Sequence, residues 1–459
     1  MAQPSESDSL SARASVPDQR IPLSAILIYA SPAPCVGFMF FLVSMYLMKF
    51  STDVLLIAPG VMGLIFGASR IWDAITDPVA GYLSDRTETR IGRRRPWLLA
   101  SLLPIVVVFL MMWSPPQMLT GSGLVAWMAV SVIGFYTAMT IFSVPHASLG
   151  AELSMSYDDR NRVFGWRHVC FMSGAFVAIG GMSLLIASQA PRATANHLAL
   201  VACLLTGGAL LFCVARVRER PEHLGRGAEN PFLAFRDVAK NPHARLLLLV
   251  ALIEHLGSAN ITILTPYASH YLIGTPHLTP FYVLCYMVAA VSTALFWVRL
   301  AKRYDKKQLW VFSMTLTALS FGGMFFCGEG DWLPVALLAT LGGVGGGCGP
   351  VIAPSIHSDI IDYDEYMTGQ RKEGAYFAAF SFAFKGAAGL TLMLTGFVLQ
   401  FSGFVPNVEQ SEATKLAIRS LFALFPLVSL STGALLLSRF ALNRREHGEL
   451  RAALDERRR

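Results

Sequence analysis

Two aspartates one helical turn apart open the question of what this chain does: Asp73 and Asp77, within Ser69-Arg70-Ile71-Trp72-Asp73-Ala74-Ile75-Thr76-Asp77-Pro78. Positions i and i+4 share one face of a helix, with Thr76 and Trp72 close by. Carboxylates held that near each other repel unless a cation lies between them. A hard ion such as Na⁺ takes several oxygens of this kind and a proton takes one, and the spacing permits either. The competing reading is structural: a salt bridge to Arg70 or Arg167 that ties helices together.

The surroundings decide how costly such charges are. The 459 residues are 54% hydrophobic and only 15% charged, with a mean hydropathy of +0.51, so the bulk of the chain belongs in lipid. Apolar runs of about 20 residues, the length that spans a bilayer as a helix, follow one another. They predict spans near 21–49, 56–84, 97–114, 122–152, 163–188, 195–216, 244–273, 280–302, 307–327, 332–362, 373–401 and 413–441. The alternation of an outer-membrane barrel is absent. Asp73 and Asp77 then lie in the second span, where an ionised side chain costs roughly 2.5–3.5 kcal/mol and requires a reason.

Basic residues test the topology. Arg86, Arg90 and Arg93 to Arg95 follow the second span, Arg160 and Arg162 the fourth, Lys302, Arg303, Lys306 and Lys307 the eighth, and Arg371 and Lys372 the tenth. The stretch from Arg216 to Arg245 is the one long polar segment inside the chain. This alternation predicts cytoplasmic termini and an even number of spans. The division it implies is a cytoplasmic tail 1–20, a six-helix bundle 21–216, a central loop 217–243, a second six-helix bundle 244–441 and a basic tail 442–459. The N-terminal tail lacks the pattern of a cleaved secretory signal. The net charge of +7 falls in loops beside spans and predicts a lipid surface rather than nucleic acid. The seven cysteines stand singly in apolar stretches and are expected to be free thiols. No nucleophile with its base and no metal cluster is visible, so an enzyme is not expected. The run Gly342-Gly343-Val344-Gly345-Gly346-Gly347 lacks the Lys-Ser/Thr of a phosphate loop; bending of a gating helix or plain close packing both suit it.

Three blocks carry a resemblance: RIWDAITDPVAGYLSDRTETRIGRRRPW, VPHASLGAEL with Asp158 to Arg162, and HSDIIDYDEYMTGQRKEGAYFAAFSFAFKG. The loop from Gly81 to Pro96 resembles the signature loop of the major facilitator superfamily, and the blocks together resemble its glycoside-pentoside-hexuronide:cation symporters, the melibiose permease group. The resemblance implies an all-α membrane protein of two six-helix bundles in a bacterial inner membrane, moving a small solute together with Na⁺ or H⁺ and needing no other cofactor; a monomer is expected. It implies cation binding at Asp73 and Asp77, with Thr76 and Ser143 beside them and Arg70, Arg167 and Lys385 as charge partners. Asp85, Arg86, Arg93 and Asp362 are implied in gating, Asp85 across the seam between the halves.

The chain departs from that group at two places. Gly37 and Ser143 stand where the group has sugar- and cation-binding aspartates, and Ala147 stands where it has a stacking aromatic. His146, Trp166, Arg167, Glu254, His255, Asn260 and Tyr267 are the residues expected to line the solute cavity instead. Glu254-His255 is equally open to being an intramembrane ion pair. Two other readings stand beside symport: transport of a lipid-like amphipath, and a non-transporting receptor or assembly factor on the same fold.

Overall fold

The computed structural model describes residues 20–153, 157–217, 219, 238, 240–368 and 373–440. The tails, most of the central loop, and Arg371 and Lys372 lie outside the described residues. The rest is a succession of helices, and the order is α1 (Leu23–Asp53), α2 (Pro59–Asp85), α3 (Arg95–Trp113), α4 (Gly121–Glu152), α5 (Tyr157–Ala187) and α6 (Pro191–Arg216) in the first half. The second half holds α7 (Pro242–Tyr271), α8 (Thr279–Ala301), α9 (Lys306–Gly323), α10 (Trp332–Thr368), α11 (Glu373–Phe401) and α12 (Glu412–Ser438). Among the described residues eleven helices are long and apolar enough to cross a membrane. Helix α2 has the length, and Arg70, Asp73 and Asp77 in its middle lower its hydropathy. The chain is therefore a multi-pass membrane protein.

Local chemistry sets the helix ends. Pro59, Pro191 and Pro242 open α2, α6 and α7, where a missing N–H costs nothing. At α3 the Glu219 carboxylate accepts the backbone N–H groups of Arg93, Arg94 and Arg95 at 2.6, 3.0 and 2.8 Å, placing an anion on a helix N-terminus. Helix α10, expected as one span, is broken: it runs Trp332–Gly346, then Gly349–Thr368. Pro350 supplies no N–H there, and Gly347 cannot carry a side chain because a Cβ would stand 2.4 Å from the Ala290 carbonyl oxygen.

The halves meet along α2 and α11. A Cβ added at Gly396 would lie 2.4 Å from the Pro59 carbonyl oxygen, so the two backbones approach as only small residues permit. One hydrophobic core runs through the first half and continues into Ile261, Leu264, Tyr267, Phe321, Leu399 and Phe422 of the second. A separate core around Trp297, Trp310, Ile352, Ile356, Phe380 and Leu437 holds the second half together nearer the chain ends. The bundles thus share packing at the end remote from the chain termini, and the second half has a core of its own at the other.

Candidate functional site

At the junction of α2, α4 and α11 four side chains converge. Lys385 of α11 places its Nζ 2.8 Å from Asp73 Oδ2 and donates to Asp77 Oδ2 as well. Thr140 of α4 has its Oγ1 2.8 Å from Oδ1 of both Asp73 and Asp77, and its single proton serves one carboxylate at a time. Arg70 lies 3.8 Å from Asp73 Oδ2, donates to the Tyr136 hydroxyl at 2.9 Å and stacks over that ring at 4.0 Å. Asp73 is 4% exposed and Asp77 26%, so one carboxylate is sealed and its neighbour reachable. Two negative and two positive groups balance here, and the oxygen set of two carboxylates and a hydroxyl suits a hard cation or a proton. An arriving cation creates an excess positive charge that departure of Lys385 relieves.

Several expectations need correcting. Thr76 is turned onto its own helix, its hydroxyl 3.4 Å from the Asp73 carbonyl. Ser143 makes no hydrogen bond to either aspartate among the described residues; Thr140, one turn earlier on α4, occupies that position. Arg167 is half-buried and joins none of the ion pairs found among the described residues, so of the three expected charge partners the aspartates are met by Lys385 and Arg70. A side chain at Gly37 is excluded, because its Cβ would lie 2.0 Å from the Phe171 carbonyl oxygen where α1 crosses α5.

Three of the residues expected to line the cavity are structural instead. His146 is buried, stacks on Tyr29 at 4.3 Å and contacts its carbonyl through Nε2 at 2.9 Å, clamping α4 to α1. Asn260 donates to the Leu421 carbonyl at 2.8 Å and accepts from Thr395 at 2.9 Å, joining α7 to α12 and α11. Tyr267 meets the Thr52 hydroxyl at 2.8 Å. Trp166 is 40% exposed on α5. Glu254 and His255 do not pair with each other: Glu254 accepts from Trp310 Nε1 at 3.4 Å, and His255 Nδ1 meets the Ala251 carbonyl at 2.7 Å.

Tyr267 belongs to a seal the sequence reading missed. Lys49 Nζ lies 2.5 Å from Asp53 Oδ2 and 2.9 Å from His270 Nδ1. The Tyr271 hydroxyl donates to Asp53 Oδ2 at 2.9 Å, and Asn407 Nδ2 to the Asp53 carbonyl at 2.7 Å. These bonds tie α1 to α7 and to the α11–α12 turn at the end remote from the chain termini. The signal was an ionisable pair at i and i+4 closing an apolar run.

At the opposite end Asp85 pairs with Arg94, not across the seam; Arg93 and Arg94 meet Glu152 at 2.6 and 2.9 Å, all within the first half. Arg86 sits over the Tyr82 ring at 4.2 Å. In the second half Lys306 pairs with Asp359 at 2.8 Å, and Asp362 is buried nearby on α10.

The MFS/sugar transport protein family matches residues 28–444. The chain belongs to it. An isoprimeverose transporter of Lactiplantibacillus pentosus is 26% identical over 87% of this chain and 84% of its own length. The glucuronide carrier protein homolog of Escherichia coli (strain K12) is 24% identical over 89% and 90%, and an inner membrane symporter of the same organism 26% over 87% of each. Among solved structures, a D-xylose-proton symporter superposes with a TM-score of 0.65 at 14% identity, covering 92% of this chain and 98% of that one. The xylose transporter of E. coli in its inward open conformation superposes with a TM-score of 0.66 at 14% identity, covering 94% and 99%. The family membership is the one that the three sequence blocks resemble.

Proposed function

We propose that the protein is a cation-coupled symporter of a small organic solute, working by alternating access in an inner membrane with both termini in the cytoplasm. The observation that carries this reading is the Asp73–Asp77–Lys385–Thr140 cluster, where Thr140 of α4 meets the two helices, α2 and α11, that join the bundles. A cation, Na⁺ or H⁺, takes the place of the Lys385 ammonium between the carboxylates. Freed of that cross-link, α11 can move relative to α2 and the bundles rock about the solute. The Lys49–Asp53–Tyr271–Asn407 seal is the outer gate, closed in this state. Sugar and glucuronide carriers among the relatives support a polar organic solute, and Gly37 argues that its recognition differs from that of relatives with an acid there.

Uptake into membrane vesicles under a Na⁺ or H⁺ gradient tests the reading, with a solute chosen by stabilisation screening of sugars and glycosides. Gradient-driven accumulation is expected, and Asp73→Asn removes it. Accumulation that survives Asp73→Asn, or no flux of any stabilising solute, overturns the reading; the second result favours a receptor.

A further inference from the structure

A cavity of about 400 Å³ lies wholly within the second half, inside the size range of small-solute pockets. Its walls come from α7, α8, α9, α10, α11 and α12, and the break in α10 forms part of them through Gly346, Gly349 and Pro350. Glu254 is its one formally charged lining residue; no Lys or Arg lines it among the described residues. The carboxylate has a single long hydrogen bond, from Trp310 Nε1 at 3.4 Å, and no ion pair among the described residues.

The imidazoles sharpen the chemistry. A carbonyl only accepts, so the 2.7 Å contact to the Ala251 carbonyl puts the proton of neutral His255 on Nδ1 and leaves Nε2 a bare acceptor. From α10, His357 stacks on Phe380 at 3.7 Å, and its Nε2 is buried without a hydrogen-bond partner. The cavity therefore presents a carboxylate, the His255 Nε2 acceptor and the unpartnered His357 imidazole, flanked by the Trp310, Tyr286 and Phe384 rings. Such a set is satisfied by a cationic donor with an apolar flank: a carboxylate binds an ammonium through charge-assisted hydrogen bonds, and aromatic faces attract cations.

We propose that this cavity binds the amine-bearing part of the solute, a protonated amine held by Glu254 with Trp310 and Phe384 against its apolar side. As a statement about the transported solute this rests on the symport reading above; as a binding site it stands alone. It also joins the solute to the ion. Phe384 precedes Lys385 on α11 and packs edge-on against His255 at 4.2 Å. Movement of Lys385 out of the Asp73–Asp77 pair shifts the ring that closes the amine subsite.

Three pyranoses of like shape and different charge test the proposal on the purified full-length protein: glucosamine, glucose and glucuronate, at pH 7, read by thermal stabilisation. Glucosamine is expected to bind most tightly, and Glu254→Gln is expected to weaken it at least about tenfold, the scale of a lost hydrogen bond to a charged group. Glu254→Gln should cost glucose, which offers a neutral hydroxyl in place of the ammonium, less than it costs glucosamine. The stabilisation by Na⁺ or by acidification through Asp73 and Asp77 should also persist, and its loss in the wild-type protein would strike the symport reading rather than this one. Equal binding of the three sugars, or glucosamine binding indifferent to Glu254→Gln, overturns the proposal. So does a pH-dependent change in Trp310 emission, absent in Glu254→Gln, without any preference for glucosamine, which would make Glu254 a proton site. If Glu254→Gln does not fold, Phe384→Ala reads the same cavity: glucosamine affinity falls while the cation-dependent stabilisation stays, and unchanged affinity counts against the subsite.

Discussion

Replacing Lys385 by Gln should tighten cation binding, and the structure supplies the magnitude. The ammonium stands 2.8 Å from Asp73 Oδ2 and also bonds Asp77. At that separation, with an effective dielectric of about 20, the Coulomb attraction to one carboxylate is about 6 kcal/mol before desolvation is subtracted. Measured costs of removing one partner from a buried pair are about 3–5 kcal/mol. Lys385 and Asp77 are each 26% exposed, which argues for the lower end. An entering cation must displace an internal competitor of this strength. Without it, about 3 kcal/mol becomes available, close to a hundredfold in affinity at about 1.4 kcal/mol per decade. Titration of the purified variant with Na⁺, or with acid at fixed ionic strength, followed by tryptophan emission, measures the change. The variant should bind about a hundredfold more tightly and release the ion poorly, so that gradient-driven turnover falls. An unchanged or weaker affinity refutes competition by Lys385 and leaves it as a structural cross-link.

Other outcomes follow from the same contacts. Thr140→Val removes the hydroxyl 2.8 Å from both aspartates and should weaken cation binding about tenfold, while Thr140→Ser restores it; equal affinities in the same titration would count against Thr140. Asp53→Asn leaves the buried Lys49 ammonium uncompensated and should cost the sealed state about 3 kcal/mol. A cysteine placed at Thr52 should then react faster with a membrane-impermeant maleimide, and an unaltered rate would show that the seal does not depend on this pair. Gly396→Val drives a side chain toward the Pro59 carbonyl and should lower the melting temperature more than Gly396→Ala does. Melting temperatures equal to that of the wild-type protein would show that α2 and α11 do not rely on their close approach.

Hydropathy located eleven of the spans, α2 with its charges being the exception, because crossing lipid demands a long apolar helix whatever its neighbours are. The run expected at 244–273 is α7, Pro242–Tyr271, and that at 373–401 is α11 with the same limits. The aspartate pair was legible for a related reason: charges in a span are costly, so their presence is informative. Polar residues were harder to assign. His146, Asn260 and Tyr267 look alike in sequence whether they face a cavity or satisfy a neighbouring helix. Their partners, such as Leu421 for Asn260 and Thr52 for Tyr267, lie far away in the chain. Thr140 was invisible as one hydroxyl among many, since only the crossing of α2 and α4 gives it two carboxylates. The glycine run serves close packing, since a Cβ at Gly343 or Gly347 would strike the Tyr286 or Ala290 carbonyl, and the break in α10 beside it could not be told from that packing in the sequence.

The most direct test of the central claim is the number of coupling cations bound by purified protein, counted by calorimetry for Na⁺ and by proton uptake for H⁺. The wild-type chain should bind one ion that the double variant Asp73→Asn, Asp77→Asn does not bind, with both proteins folded. Equal binding by the two would place the ion elsewhere and contradict the account.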